Sequence, residues 1–143
     1  MNVKSILDAK GRAVATIAPD ATLAAAAHML AEKRIGAVVV TGAGHSVAGI
    51  LSERDIVRSL AEHGAGALDR SVAETMTRKV VTCSEQDSIG QLMESMTDGK
   101  FRHLPVVEGG RLVGIISIGD VVKRRLAEIE SEANALKDYV MNA

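Results

Sequence analysis

Two stretches of this chain place a serine, two further residues and an aspartate directly after a glycine and two aliphatic residues. They are Gly49-Ile50-Leu51-Ser52-Glu53-Arg54-Asp55 and Gly114-Ile115-Ile116-Ser117-Ile118-Gly119-Asp120. A hydroxyl followed three positions later by a carboxylate, where an apolar run gives way to a helical pattern, is capping-box chemistry. The hydroxyl accepts from the third amide of the helix, and the carboxylate accepts from the cap's own amide. The same residues can do more. A strand that opens into a helix N-terminus presents unpaired N–H groups and the positive end of the helix dipole, a setting that holds anions and ribose phosphates. A carboxylate there can accept both hydroxyls of a ribose diol, as an acidic residue does in dinucleotide-binding folds. One copy alone reads as a cap; the same anchor twice points to ligand binding alongside capping.

The two motifs anchor an internal repeat. Residues 49–57 and 114–122 share five of nine identities at an offset of 65. Upstream, Thr16-Ile17-Ala18 falls on Thr82-Cys83-Ser84, Thr22-Leu23 on Ser88-Ile89, and Val38-Val39-Val40 on Leu104-Pro105-Val106. The segment Val3-Lys4-Ser5-Ile6-Leu7 resembles Val72-Ala73-Glu74-Thr75-Met76. Each copy reads as a short strand (13–17; 80–83), then a helix (23–33, capped by Asp20 or Thr22; 89–98, capped by Asp87 or Ser88). A pair of strands follows (37–41 with 47–51; 104–107 with 112–116), and a second helix closes the copy (53–62; 119 onward). Gly42-Ala43-Gly44 and Gly109-Gly110 carry hairpin chemistry, and Gly64-Ala65-Gly66-Ala67 reads as a linker. The expected boundaries are 3–60 for one repeat, 72–126 for the other and 127–143 for a C-terminal helix. Units of about 55 residues bury too little surface alone. Two of them packed face to face would bury strands on both sides, which accounts for the continuously apolar Val38-Val39-Val40.

Composition narrows the chemistry. The 143 residues are 47% hydrophobic and 24% charged, with one Phe, one Tyr and no Trp. The core must be aliphatic, and the stacking platforms that bind single-stranded nucleic acid are missing. A net charge of −1 without a basic block gives nucleic acid and anionic lipid little to attract. One cysteine, Cys83, excludes an intrachain disulfide and a cysteine-rich zinc site. His28, His45, His63 and His103 lack metal-ligand spacing, so no metal is expected. Residues 42–49 match neither phosphate-loop pattern and join two strands. No apolar run approaches the roughly 18 residues of a spanning helix, and no signal-peptide core follows Met1, so a cytoplasmic protein is expected. An enzyme would need Asp55 and Asp120 as acids and His103 as base, as in a nucleotide hydrolase. No activated nucleophile or third orienting group accompanies them, which favours a non-catalytic protein. At the C-terminus Val122, Leu126, Ile129, Ala133, Leu136 and Val140 recur at heptad spacing between charged residues. This stripe suits a homodimer seam, with a helix folded back on its own domain as the alternative.

The doubled Gly-aliphatic-aliphatic-Ser-x-x-Asp motif, with Arg102-His103-Leu104-Pro105-Val106-Val107 ahead of one copy and Ile35-Gly36-Ala37-Val38-Val39-Val40 ahead of the other, resembles CBS-pair (Bateman) proteins, in particular the small stand-alone bacterial type. The resemblance spans almost the whole chain. It implies an α/β (α+β) fold of two β-α-β-β-α repeats packed face to face with pseudo-two-fold symmetry, and two related adenosine-nucleotide sites between them, for AMP, ATP or NAD(H). It implies that Asp55 and Asp120 bind ribose, that Ser52 and Ser117 lie beside ribose or phosphate, and that Thr16 and Thr82 lie near adenine. Arg102 and His103, ahead of the Leu104-Pro105 step, would face phosphates, and Val38, Leu104, Ile50 and Ile115 would wall the adenine. Arg54 precedes Asp55 where Gly119 precedes Asp120, and Gly36-Ala37 stands where Arg102-His103 stands, so the two sites are expected to be unequal. The function implied is regulatory: a dimeric sensor reporting energy or redox state to an effector protein. A purely structural dimerisation protein is the alternative.

Overall fold

Every α-helix among the described residues starts at a polar cap whose side chain accepts from the amide three positions on. The caps are Asn2, Thr22, Ser52, Ser71, Ser88 and Ser117. A computed structural model describes residues 1–142 of the chain. The helices that these caps open are α1 (Val3–Lys10), α2 (Leu23–Lys33), α3 (Glu53–His63), α4 (Val72–Thr75), α5 (Ile89–Gly99) and α6 (Ile118–Met141). Between them run β1 (Thr16–Ile17), β2 (Ala37–Thr41), β3 (Val47–Ser52), β4 (His103–Glu108) and β5 (Arg111–Ser117). The order is the expected mixed α/β repeat in the first copy and, without its first strand, in the second, with a helix before each.

In the first copy β1 pairs in parallel with β2, and β2 pairs antiparallel with β3. In the second, β4 and β5 form a hairpin closed by Gly109 and Gly110 at φ 57° and 78°. Two consecutive left-handed residues match the strand twist, and glycine adopts them without a Cβ penalty. The strand expected at residues 80–83 shrinks to a single parallel bridge between Cys83 and Val106. Proline explains the loss. In the first copy the Val39 amide donates to the Ala15 carbonyl at 3.3 Å; the corresponding position in β4 is Pro105, which has no N–H to give.

The starting helices are exchanged. Val3, Ile6 and Leu7 of α1 bury in the second copy's core, among Cys83, Ile89, Leu92, Leu104 and Ile116. Val72 and Met76 bury in the first copy's core, among Ile17, Leu23, Leu30, Val38 and Leu51. Matching backbone bonds stitch the seam: the Val3 amide donates to the Asp87 carbonyl at 2.9 Å and the Val72 amide to the Ala21 carbonyl at 2.7 Å. The segment between the copies is no slack linker. Gly64–Asp69 winds into 3₁₀ turns, and Ala67 is fully buried.

Two glycines at equivalent strand positions make the exchange possible. A Cβ on Gly114 would lie 2.8 Å from Leu7 Cδ2, and one on Gly49 would lie 2.6 Å from Met76 Sδ and 2.8 Å from the Thr77 carbonyl. The Leu7 methyls can turn aside, whereas the Thr77 backbone cannot. Gly49→Ala should therefore destabilise the fold by about 1–3 kcal/mol, and Gly114→Ala by clearly less. Urea unfolding midpoints of the two variants check this ordering.

Candidate functional site

Both motifs form complete capping boxes. The Ser52 amide donates to Asp55 Oδ2 at 3.0 Å, the Ser52 hydroxyl donates to the same oxygen at 3.1 Å, and the Asp55 amide donates back to Ser52 Oγ. At the second copy the Ser117 amide donates to Asp120 Oδ2 at 2.9 Å and the Asp120 amide to Ser117 Oγ at 3.1 Å. The carboxylates then differ. Asp55 is 7% exposed, with Arg58 3.6 Å from its Oδ1. Asp120 is tied to Lys10, whose ammonium donates to Oδ2 at 2.7 Å and to the Ile115 carbonyl at 3.0 Å.

Two clefts open at these motifs, each built from both copies. The first, about 330 Å³, sets Ile50, Ser52, Arg54 and Asp55 opposite Lys100, Phe101, Arg102 and His103. The second, about 570 Å³, sets Ile115 and Ser117 opposite Lys33, Ile35, Gly36 and Ala37, with Lys10 and residues 13–15 along one side. Both volumes lie in the roughly 300–1,000 Å³ range of small-molecule sites. Gly36, Ala37 and His103 line both clefts, so the two share a wall.

The structure thus gathers Ser52, Arg54, Asp55, Ile50, Arg102 and His103 in one cleft, and Ile115, Ser117 and His103 in the other. Asp120 faces Lys10 and lines a further hollow of about 240 Å³ with Lys123 and Arg124. Val38 and Leu104, expected as adenine walls, are each 1% exposed in the cores. Ala37 and His103, one residue earlier, line the clefts instead, since a step of one along a strand changes its face. Pro105 is buried opposite Ile115. Thr16 lies half-buried in β1, Thr82 is exposed, and neither lines these clefts. Sequence reasoning missed Lys10, Lys33 and Lys100. Lys33 and Lys100 stand at the ends of α2 and α5, just ahead of the Ile35-Gly36 and Phe101-Arg102 anchors. The available signal was a basic helix end in both copies, where Lys33-Arg34 and Lys100 close α2 and α5. Among the described residues, no group of three or more His, Cys, Asp or Glu side chains is placed to hold a metal ion. No described helix is long and apolar enough to cross a membrane.

Comparison with known proteins agrees with this architecture. The family model of the CBS domain matches residues 3–62 and again 71–127. The crystal structure of the CBS-domain containing protein ATU1752 from Agrobacterium tumefaciens superposes with a TM-score of 0.84 at 54% identity, over 87% of this chain and 99% of that one. The CBS domain protein PAE2072 from Pyrobaculum aerophilum, complexed with AMP, superposes with a TM-score of 0.75 at 28% identity, over 84% and 89% of the two chains. The mitochondrial CBS domain-containing protein CBSX3 of Arabidopsis thaliana is 32% identical over 125 residues; the match takes in 85% of this chain and 61% of that relative's length.

Electrostatics single out the shared wall. Burial, then the nearby Lys10 and Arg102 charges, push the His103 imidazole below its ordinary value of 6.5, against the opposing pull of Asp120 and Glu53. Burial alone would raise the Asp120 carboxyl. The hydrogen bonds from Lys10 and Ser117, with the Lys10 charge, more than offset it and hold the carboxyl below its usual range. Cys83 is pushed up to about 12, by burial first and by Asp87 and Glu108 after it, so its thiol is inert core packing. For His103 the linkage has a definite sign. The folded protein holds fewer protons there than the unfolded chain between the depressed value and 6.5, so stability rises with pH across that window. Stability should accordingly fall as the pH is lowered from 7 through 6.5 and level off below the folded-state value. A His103→Asn variant should show a shallower fall, as read by denaturation midpoints at a series of pH values.

Proposed function

The chain belongs to the CBS-domain family, and we propose that it is a non-catalytic regulatory module that takes adenosine nucleotides into the two clefts between its repeats. One observation carries the reading: each cleft sets the motif serine of one repeat, Ser52 or Ser117, opposite the strand entry of the other with a lysine beside it, Lys100 or Lys33. In the first cleft Asp55 receives the ribose hydroxyls, Ile50 and Phe101 give the base an apolar wall, and Arg54, Lys100 and Arg102 face the phosphates. In the second, Ser117 and Asp120 take the corresponding ribose part, and Lys10 and Lys33 supply the charge. The relative solved with AMP supports an adenosine ligand. AMP, ATP and NAD(H) share the adenosine and differ in the phosphate chain, the part that the cations address.

The working form in this proposal is a homodimer. Leu126 and Leu136, 61% and 64% exposed, leave the stripe on α6 open along its length. On α3, Val57 and Leu60 are exposed as well. A second copy covers these faces, and an effector protein reads a change in their relative angle as a report of energy or redox state. Such a change requires the ligand to bind one arrangement more tightly than the other, because tight binding alone moves nothing. The proposal locates the protein in the cytoplasm, a reducing compartment in which a single free cysteine persists. The complete capping boxes favour one second reading, a structural dimerisation protein in which Ser52–Asp55 and Ser117–Asp120 only start helices.

Thermal unfolding separates the two. An adenosine ligand at a hundred times its Kd should stabilise the chain by about 2.7 kcal/mol through mass action, and Asp55→Asn should reduce that gain. No response to AMP, ATP or NADH would leave only the capping role. Independently, a chain cut after Leu126 should run as a monomer in light scattering where the intact chain runs as a dimer.

A further inference from the structure

A latch at the edge of the second cleft has no counterpart in the first. In the first copy the Ile50 carbonyl accepts a backbone bond from the Thr77 amide at 2.9 Å. The equivalent Ile115 carbonyl accepts instead from the Lys10 ammonium, at 3.0 Å. The cause lies in the exchanged helices: α1 runs eight residues, α4 only four, and the extra turn carries Lys10 over the end of β5. From there Lys10 spans the strand carbonyl and the motif carboxylate at once. Asp120 Oδ2 then accepts both the Ser117 amide and the ammonium, which occupies its lone pairs. Arg54 and Arg102 in the first cleft form no ion pair among the described residues.

From this we infer that Lys10 sets the ligand specificity of the second cleft, admitting adenosine compounds that carry a phosphate and disfavouring those that do not. The inference rests on the nucleotide-binding reading above. A ribose diol needs both oxygens of Asp120, so the ammonium must leave Oδ2 when ligand enters. Lys10 lines both the cleft, with Ser117 and Ile115, and the adjoining hollow that Asp120 lines, so a phosphate in the cleft can take over the ammonium as Asp120 turns to the ribose. The cation keeps an anionic partner throughout. An uncharged adenosine breaks the same two hydrogen bonds and leaves the ammonium with no anion in return. In the first cleft the cation beside the motif carboxylate is Arg58, 3.6 Å from Asp55 Oδ1 and outside the cleft lining, so discrimination by a cleft-lining cation on that carboxylate belongs to the second cleft.

Calorimetric titration with AMP and with adenosine tests this on the full chain, using Asp55→Asn to silence the first cleft. With Lys10 intact, AMP should bind at least about tenfold more tightly than adenosine, the effect of one charge-assisted hydrogen bond. Adding Lys10→Gln should bring the two affinities together, with adenosine gaining and AMP losing. Adding Lys10→Arg should restore the preference, which also shows that position 10 tolerates change without unfolding. An AMP-to-adenosine ratio that Lys10→Gln leaves unmoved overturns the inference and leaves the nucleotide reading standing. Loss of all binding in Asp55→Asn, with the unmodified chain still binding AMP, overturns it as well, since the second cleft is then no site. If the unmodified chain binds neither compound, the nucleotide reading falls, and the latch falls with it.

Discussion

The burial of α1 in the second core and of α4 in the first is the interaction on which the rest of the molecule depends. Val3, Ile6 and Leu7 are almost wholly withdrawn from water in a core that otherwise belongs to residues beyond 80. At about 1.5–3 kcal/mol for each buried aliphatic side chain, these three match a large part of the ~5–15 kcal/mol net stability of an ordinary domain. Neither repeat holds a complete core without the other's first helix. The glycines at 49 and 114 are the steric condition for this exchange, since a side chain at either would occupy the space that Met76 or Leu7 fills.

The clefts follow from the same exchange. Each copy's second hairpin strand ends in Ser-x-x-Asp, and docking the copies two-fold brings that end against the other copy's strand entry. The cations of each cleft are therefore drawn from segments far apart in sequence. Arg102 belongs to the second repeat yet faces the first repeat's motif, and Lys10 belongs to the first repeat yet holds the second's carboxylate. His103 sits on the wall between, where both clefts bear on its protonation.

Much of this was legible in the sequence, for a physical reason: caps and tight turns are local. Helix α2 begins at Leu23 because Thr22 caps it, and it stops where Arg34 adopts a left-handed conformation. The Gly109-Gly110 turn fixes its hairpin register just as locally. What the sequence hid was parity and partnership. A run such as Ala37-Val38-Val39-Val40 is apolar on both faces, so nothing in it marks Ala37, and not Val38, as the residue facing the cleft. The loss of strand pairing at Thr82 needed the knowledge that Pro105 would be its neighbour. The glycine-rich segment after His63 read as slack chain, yet it winds into 3₁₀ turns and its Ala67 is fully buried. Lys10 was invisible for the plainest reason: its partner lies 110 residues away.

The symmetry of the repeats ends at their second helices. Helix α3 stops at His63, where Gly64 turns the chain at φ 64°; α6 runs on from the same kind of start to Met141 without interruption. A single rigid element therefore has Ser117 and Asp120 at its first turn and the exposed stripe of Leu126, Ile129, Leu136 and Val140 along the rest. At 1.5 Å per residue such a helix turns a small tilt at its capped end into a larger displacement at its far end. Lys10 and Arg124, which joins α6 to the Ser5 carbonyl of α1 at 3.2 Å, are the polar ties that fix the tilt near its origin. Asp120 and the stripe thus stand at the two ends of one continuous helix, whereas Asp55 has no comparable arm.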